Sequence, residues 1–143
     1  MTNVRLGGLG LACVLAFPSP APAADIVINS ETACASIRGE WRSYDGGGSC
    51  HVDRLVVPAG MRVIVPPGVA FYPDSLINDG VLETSGRFDP GPFTNRGTLI
   101  TNGITVNWGF LINKGTWVNH GWLHPHNSVL NEWNFENDGF FET

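Results

Sequence analysis

A chain of 143 residues with 8 basic against 13 acidic side chains and a net charge of −5 is long enough for one domain and too short for two of ordinary size. It contains no basic cluster, which argues against nucleic acid or an anionic membrane surface as a partner. Beyond the first two dozen residues no run is apolar and long enough to cross a bilayer as a helix.

The N-terminus reads as a secretory signal peptide over residues 1–24. Arg5 supplies the positive start, Leu6 to Phe17 the short apolar core, and Ala21-Pro22-Ala23 the small-x-small cleavage pattern. Leu11-Ala12-Cys13 has the outline of a lipidation box, but Gly10 precedes it where Leu is usual and the apolar core continues past it. The expectation is an exported protein, placed outside the cell, at its surface or in the periplasm. Without the signal, 7 basic residues face 13 acidic ones and two cysteines remain, Cys34 and Cys50. An even count in an exported chain predicts one disulfide, which would add on the order of 3 kcal/mol of stability.

Residues 25–57 differ in texture from the rest and are expected to form an N-terminal cap. Ile26-Val27-Ile28 predicts a short strand, and Ser30 to Arg38 a short helix with Ser30 as its N-cap. Asp45-Gly46-Gly47-Gly48-Ser49 predicts a flexible loop tied down by the disulfide, and Trp41 is placed to cover the first coil of the repeat region. That region is assigned from residue 58 onward and is entered through Leu55 to Gly60 and Val63 to Gly68. Both are short β-branched runs stopped by Pro and Gly, as strands ending in turns.

The repeat is Asn-x-Gly-x-apolar-x. It is seen in Asn95-Arg96-Gly97-Thr98-Leu99-Ile100 and Asn113-Lys114-Gly115-Thr116-Trp117-Val118, and it runs from about Leu76 to Thr143 with a one-residue slip near Thr84. Gly at the third position, replaced by Asp74 and Asn127, predicts a backbone turn using positive φ once per period. The fifth position carries Leu76, Leu82, Phe88, Phe93, Leu99, Leu111, Trp117, Leu123, Val129, Phe135 and Phe141, with Thr105 as its polar member, and predicts a narrow continuous core. Six is not a helical period, and hairpin meanders usually repeat every 8–12 residues. The fold expected is therefore all-β: a single-domain parallel β-helix (β-solenoid) of short three-sided coils with a disulfide-bonded cap. Stacking would align Asn95, Asn113 and Asn131 in one amide ladder and Asn119 with Asn137 in another.

These Asn-x-Gly-x-Leu-x repeats behind a signal peptide resemble the β-helical repeat regions of secreted bacterial adhesin-like and haemagglutinin-like proteins. The resemblance covers roughly Leu76 to Thr143. It implies surface display, adhesion or matrix roles and carries no catalytic residue across.

Three sets of residues are candidates for chemistry. His120, His124 and His126 are the one dense group of ligand-type side chains, of a kind that binds zinc or copper, although Pro125 stiffens the link and the coil geometry favours corner positions in solvent. Glu132, Glu136, Asp138 and Glu142 gather near the C-terminus, but polysaccharide-cleaving enzymes build a cleft from longer chains. No phosphate loop or nucleophile elbow occurs, and no cofactor is implied. The third set is the expected outward positions, which are unusually apolar: Thr98, Ile100, Ile104, Val106, Phe110, Ile112, Val118, Trp122 and Leu130, with Trp108 beside them. Trp108, Phe110, Trp122 and Phe140 are thus the candidate binding residues. The function expected is structural or binding, without catalysis, through self-association or a cell-surface protein partner, including end-to-end contact at the coil around Phe140. The alternative is a carbohydrate-binding module using the exposed aromatics, and a third reading is a polysaccharide-active enzyme.

Overall fold

The computed structural model describes residues 25–142, so the expected signal peptide over residues 1–24, with Cys13, lies outside the described residues. The cap consists of β1 (Asp25–Val27), α1 (Glu31–Ser36), β2 (Glu40–Tyr44) and β3 (Gly47–Val52). The Ser30 side chain accepts from the Ala33 amide and caps α1, as the sequence predicts. Cys34 on α1 is bonded to Cys50 on β3, with a sequence separation of 16. β2 runs antiparallel to β3, and Trp41 on β2 packs over Gly48, partly buried against the core.

Five three-sided coils complete the chain. They are β4 (Leu55–Val57), β5 (Arg62–Val65) and β6 (Val69–Pro73); β7 (Leu76–Asn78), β8 (Val81–Thr84) and β9 (Arg87–Phe88); β10 (Phe93–Asn95), β11 (Thr98–Thr101) and β12 (Ile104–Asn107); β13 (Leu111–Asn113), β14 (Thr116–Asn119) and β15 (Trp122–Pro125); and β16 (Val129–Asn131), β17 (Asn134–Asn137) and β18 (Phe140–Phe141). Like sides stack in parallel into three sheets. Sheet A is β1-β5-β8-β11-β14-β17, sheet C is β4-β7-β10-β13-β16, and sheet B is β3-β6-β9-β12-β15-β18 with β2 at its outer edge. The chain is a parallel β-solenoid whose cap strands β1 and β3 continue two of its sheets.

The registers explain the period. From Phe93 onward each residue pairs with the one 18 positions later, as in Phe93 with Leu111 and Leu111 with Val129, which is three six-residue sides. The second coil is one residue shorter, since Leu76 pairs with Phe93 and Leu82 with Leu99. The slip lies not at Thr84 but in the corner between Phe88 and Phe93, because Phe88 still pairs with Thr105. Fifth-position side chains point inward and stack in columns, such as Leu82, Leu99 and Trp117, all fully buried.

Two expectations about the repeat need correction. The glycines at the third position do not adopt positive φ; among the described residues the glycines that do are Gly46, Gly60 and Gly68, outside the repeat. What the repeat glycines provide is room. A Cβ on Gly97 would lie 2.1 Å from the Gly80 carbonyl oxygen, and one on Gly121 would lie 1.9 Å from that of Gly103. The coils meet backbone to backbone at these corners, so a side chain has nowhere to go. Secondly, the sixth-position row does not lie wholly in solvent. Val106 is only 8% exposed, while Ile100, Ile112 and Val118 are half-buried, because stacked neighbours cover one another on a sheet whose strands are about 4.8 Å apart.

The first position of the repeat also points inward, and its amides form the expected ladders. Asn78 Nδ2 donates to Asn95 Oδ1 (2.8 Å), Asn95 Nδ2 to Asn113 Oδ1 (2.7 Å) and Asn113 Nδ2 to Asn131 Oδ1 (2.7 Å). At the next corner Thr101 Oγ1 donates to Asn119 Oδ1, and Asn119 Nδ2 to Asn137 Oδ1. At the third corner the pattern fails. Asn107 is fully buried, yet neither end of its amide has a partner, since Pro125 occupies the position where the ladder would continue. Thr105, two residues earlier and also facing in, has an unpartnered hydroxyl between Phe88 and Leu123. Replacing Thr105 by Val keeps the shape and removes the orphaned donor, so Thr105→Val is expected to stabilise the protein by about 1 kcal/mol. Urea denaturation checks it, and a lowered midpoint would contradict it.

Candidate functional site

The outward residues of sheet B come together in rows along the solenoid. Along the solenoid, the row before the inward column holds Ala70, Arg87, Ile104, Trp122 and Phe140, and the row after it holds His51, Tyr72, Asp89, Val106, His124 and Glu142. Beyond them, at the corner leading to sheet C, Trp108 stacks on His126 with ring centroids 4.0 Å apart. Three of the four candidate binding residues therefore share one face. Trp108 is 56% exposed, Trp122 42% and Phe140 63%, and Trp122 meets Phe140 edge to face. Phe110, the fourth, is elsewhere, beside Ile77 and Ile112 in a separate hollow on sheet C.

The histidines divide in the same way. His124 and His126 flank Pro125 and touch edge to face at 4.4 Å, while His124 Nδ1 lies 3.2 Å from Glu142 Oε2. His120 is at the corner before β15, where it pairs with Asp138. Among the described residues no three His, Cys, Asp or Glu side chains are grouped to hold a metal ion. The C-terminal carboxylates are likewise spread out. Glu132 pairs with Lys114, Asp138 with His120 and Glu142 with His124, each 18 residues from its partner, and Glu136 follows Val118 on the outer face of sheet A.

Two hollows open on sheet B, with Trp108 lining both. One, of about 280 Å³, lies among Ile104, Val106, Trp122, His124, His126 and Glu142. The other, of about 550 Å³, lies toward the cap and is lined by His51, Tyr72, Asp74, Asp89 and the Pro90-Gly91 corner. His51 and Tyr72 stack at 4.6 Å and form one wall. Burial pushes the Tyr72 phenol up, with the Asp89 carboxylate adding to the effect, so the hydroxyl stays protonated at neutral pH and able to donate. Arg87 holds Asp89 through both its Nε and its terminal nitrogen, at 2.9 and 2.8 Å to Oδ2, and this hydrogen bonding raises the guanidinium pKa further. The Asp89 side chain is only 7% exposed, whereas Asp74 lies in the open and makes no ion pair among the described residues.

Sequence reasoning missed His51, Tyr72, Asp74 and Asp89 as site residues. For Tyr72 and Asp89 a signal existed, since the 17-residue spacing of the short coil places them in one row. For His51 there was none, because the first coil has sides of irregular length.

Searches against family models, curated proteins and solved structures found no match to this chain.

Proposed function

We propose that this protein is an exported, non-catalytic β-solenoid that works by binding, at the cell surface or outside it, through the outer face of sheet B, in the manner of adhesin-like repeat regions. The observation that carries the reading is the convergence of Trp108, Trp122 and Phe140, with Ile104 and the His124–His126 pair, on one solvent-facing sheet. A contiguous exposed aromatic and apolar patch marks an interaction site far more often than scattered apolar residues do. The dispersal of Glu132, Glu136, Asp138 and Glu142 over different faces supports binding over hydrolysis, which needs two carboxylates flanking one bond.

Self-association is the second reading. It is favoured by the row Val56, Ile77, Thr94, Ile112 and Leu130 on the outer face of sheet C, which contains no charge. Retention of the purified protein on insoluble envelope and matrix fractions of the source cells separates the two. Ile104→Arg with Trp122→Arg is expected to reduce retention at least about tenfold, the loss of one good contact. Val56→Arg with Leu130→Arg is expected to leave it unchanged, with circular dichroism confirming the fold of both. The opposite pattern, together with a change from dimer to monomer in light scattering, would replace sheet B binding by association through sheet C.

A further inference from the structure

The hollow between the cap and Trp108 owes its existence to the short coil. Trp108 and His126 occupy equivalent corners of successive coils, and His126 covers one face of the indole. On the opposite side the preceding coil has lost a residue between Phe88 and Phe93, and presents Pro90 and Gly91. Neither carries a side chain long enough to cover the outer part of the indole. The deletion thus cuts a notch into the corner of the solenoid. Trp108 is the wall on one side, the His51–Tyr72 stack is the wall on the other, and the Asp74 carboxylate lies at its rim. A side chain at Gly91 could not fill it, since a Cβ there would lie 2.1 Å from the Asp74 carbonyl oxygen.

We propose that this notch is a subsite for one sugar ring of an uncharged linear polysaccharide, whose chain runs on along the solenoid axis over Ile104 and Trp122; the proposal rests on the sheet B binding reading above. The chemistry is that of a pyranose. Its C–H face is apolar and packs on an aromatic ring, while its equatorial hydroxyls at the rim donate to carboxylates and accept from a phenol. The notch offers the indole face, Asp74 as the acceptor and the protonated Tyr72 hydroxyl as the donor. Charge argues for a neutral chain. Among the described residues Arg87, held by Asp89, is the one Lys or Arg side chain lining either hollow, and the Asp74 carboxylate would repel uronates or sulfates. Size argues against a protein. Six strands at about 4.8 Å, each about four residues wide, make a face of roughly 400 Å². One side of a standard protein interface needs about 800 Å². A narrow chain aligned with the axis fits such a strip, and two coils of rise, about 10 Å, are close to the length of a disaccharide.

The test is tryptophan-fluorescence titration of the purified protein with cellohexaose, chitohexaose, mannohexaose, xylohexaose, maltohexaose and laminarihexaose, with an oligogalacturonate of equal length as the anionic comparison. At least one neutral hexaose is expected to bind, more tightly than its disaccharide, with the oligogalacturonate at least about tenfold weaker. Trp108→Ala and Asp74→Asn are each expected to weaken binding by about tenfold, with Trp108→Phe recovering most of the loss. Both positions are solvent-facing, and unchanged denaturation midpoints would show that folding is intact. The inference is overturned if no neutral hexaose binds, if the anionic one binds best, or if Trp108→Ala binds like the parent. Failure here together with retention on cell fractions that still depends on Ile104 and Trp122 would remove the sugar and leave sheet B binding standing. Loss of that dependence as well would remove both.

Discussion

Gly115→Ala is expected to destabilise the solenoid by about 3 kcal/mol, although the substitution adds only one methyl group. The added Cβ would lie 2.2 Å from the Gly97 carbonyl oxygen and 2.7 Å from the Arg96 carbonyl carbon. Both are backbone atoms of the coil beneath, so no rotamer change relieves the contact. Relief requires the two coils to part at this corner, and that stretches the hydrogen bonds from the Lys114 amide to Asn95 and from the Thr116 amide to Gly97. In an ordinary β-strand the same change would be neutral or mildly stabilising, since Gly is the entropically costly residue there. The sign of the effect therefore tests the packing directly. Guanidinium denaturation is the measurement, with Lys114→Ala at the neighbouring exposed position as the comparison. A Gly115→Ala midpoint equal to that of the parent would mean that the coils are farther apart than described.

Asn113→Leu is expected to cost about 3 kcal/mol, despite replacing a polar side chain in the interior by an apolar one of similar size. Asn113 is the middle of its ladder. Its Oδ1 accepts from Asn95, and its Nδ2 donates both to Asn131 Oδ1 and to the Asn134 carbonyl at 2.9 Å. The substitution leaves three groups on other residues without their partner, of which Asn95 Nδ2 is fully buried and keeps only its bond to the Thr116 carbonyl and a long one, 3.4 Å, to the Gly97 carbonyl. Thr105→Val differs in kind. There the hydroxyl has no partner to strand, and removing it relieves a cost instead of creating one. Thermal denaturation of both variants should move the midpoint in opposite directions, and movement in the same direction would contradict the ladder account.

The six-residue count made the architecture legible, because side-chain direction alternates and each side of the coil buries an apolar residue and, two positions on, a second inward one that is most often Asn or Thr. Asn95, Asn113, Asn119 and Leu99 could all be placed from spacing alone. Glycine was read for its dihedral freedom when its lack of a side chain was what mattered; local sequence shows the residue but not the backbone of another coil lying over it. The site was less legible. Trp108 with His126, Trp122 with Phe140 and His124 with Glu142 are each 18 residues apart, so the full-coil spacing applied to outward residues would have paired them. The notch could not be read in that way. It arises where the count breaks, and its other wall comes from His51 on a cap strand that obeys no repeat.

The disulfide between α1 and β3 holds the cap at one end of the stack. Each coil touches only the coils beside it, so stability is that of a one-dimensional array, in which every unit depends on its nearest neighbours. Tyr72 and Asp74 belong to the coil stacked directly on the cross-linked cap, whereas Trp122 and Phe140 lie three and four coils farther along the same sheet. Amide exchange is therefore expected to be slowest next to the disulfide, where a unit is held by more than its neighbours. A ligand anchored in the notch and extending toward Phe140 would tie together coils that otherwise communicate only one by one, so occupancy at one end of the track is coupled to order at the other.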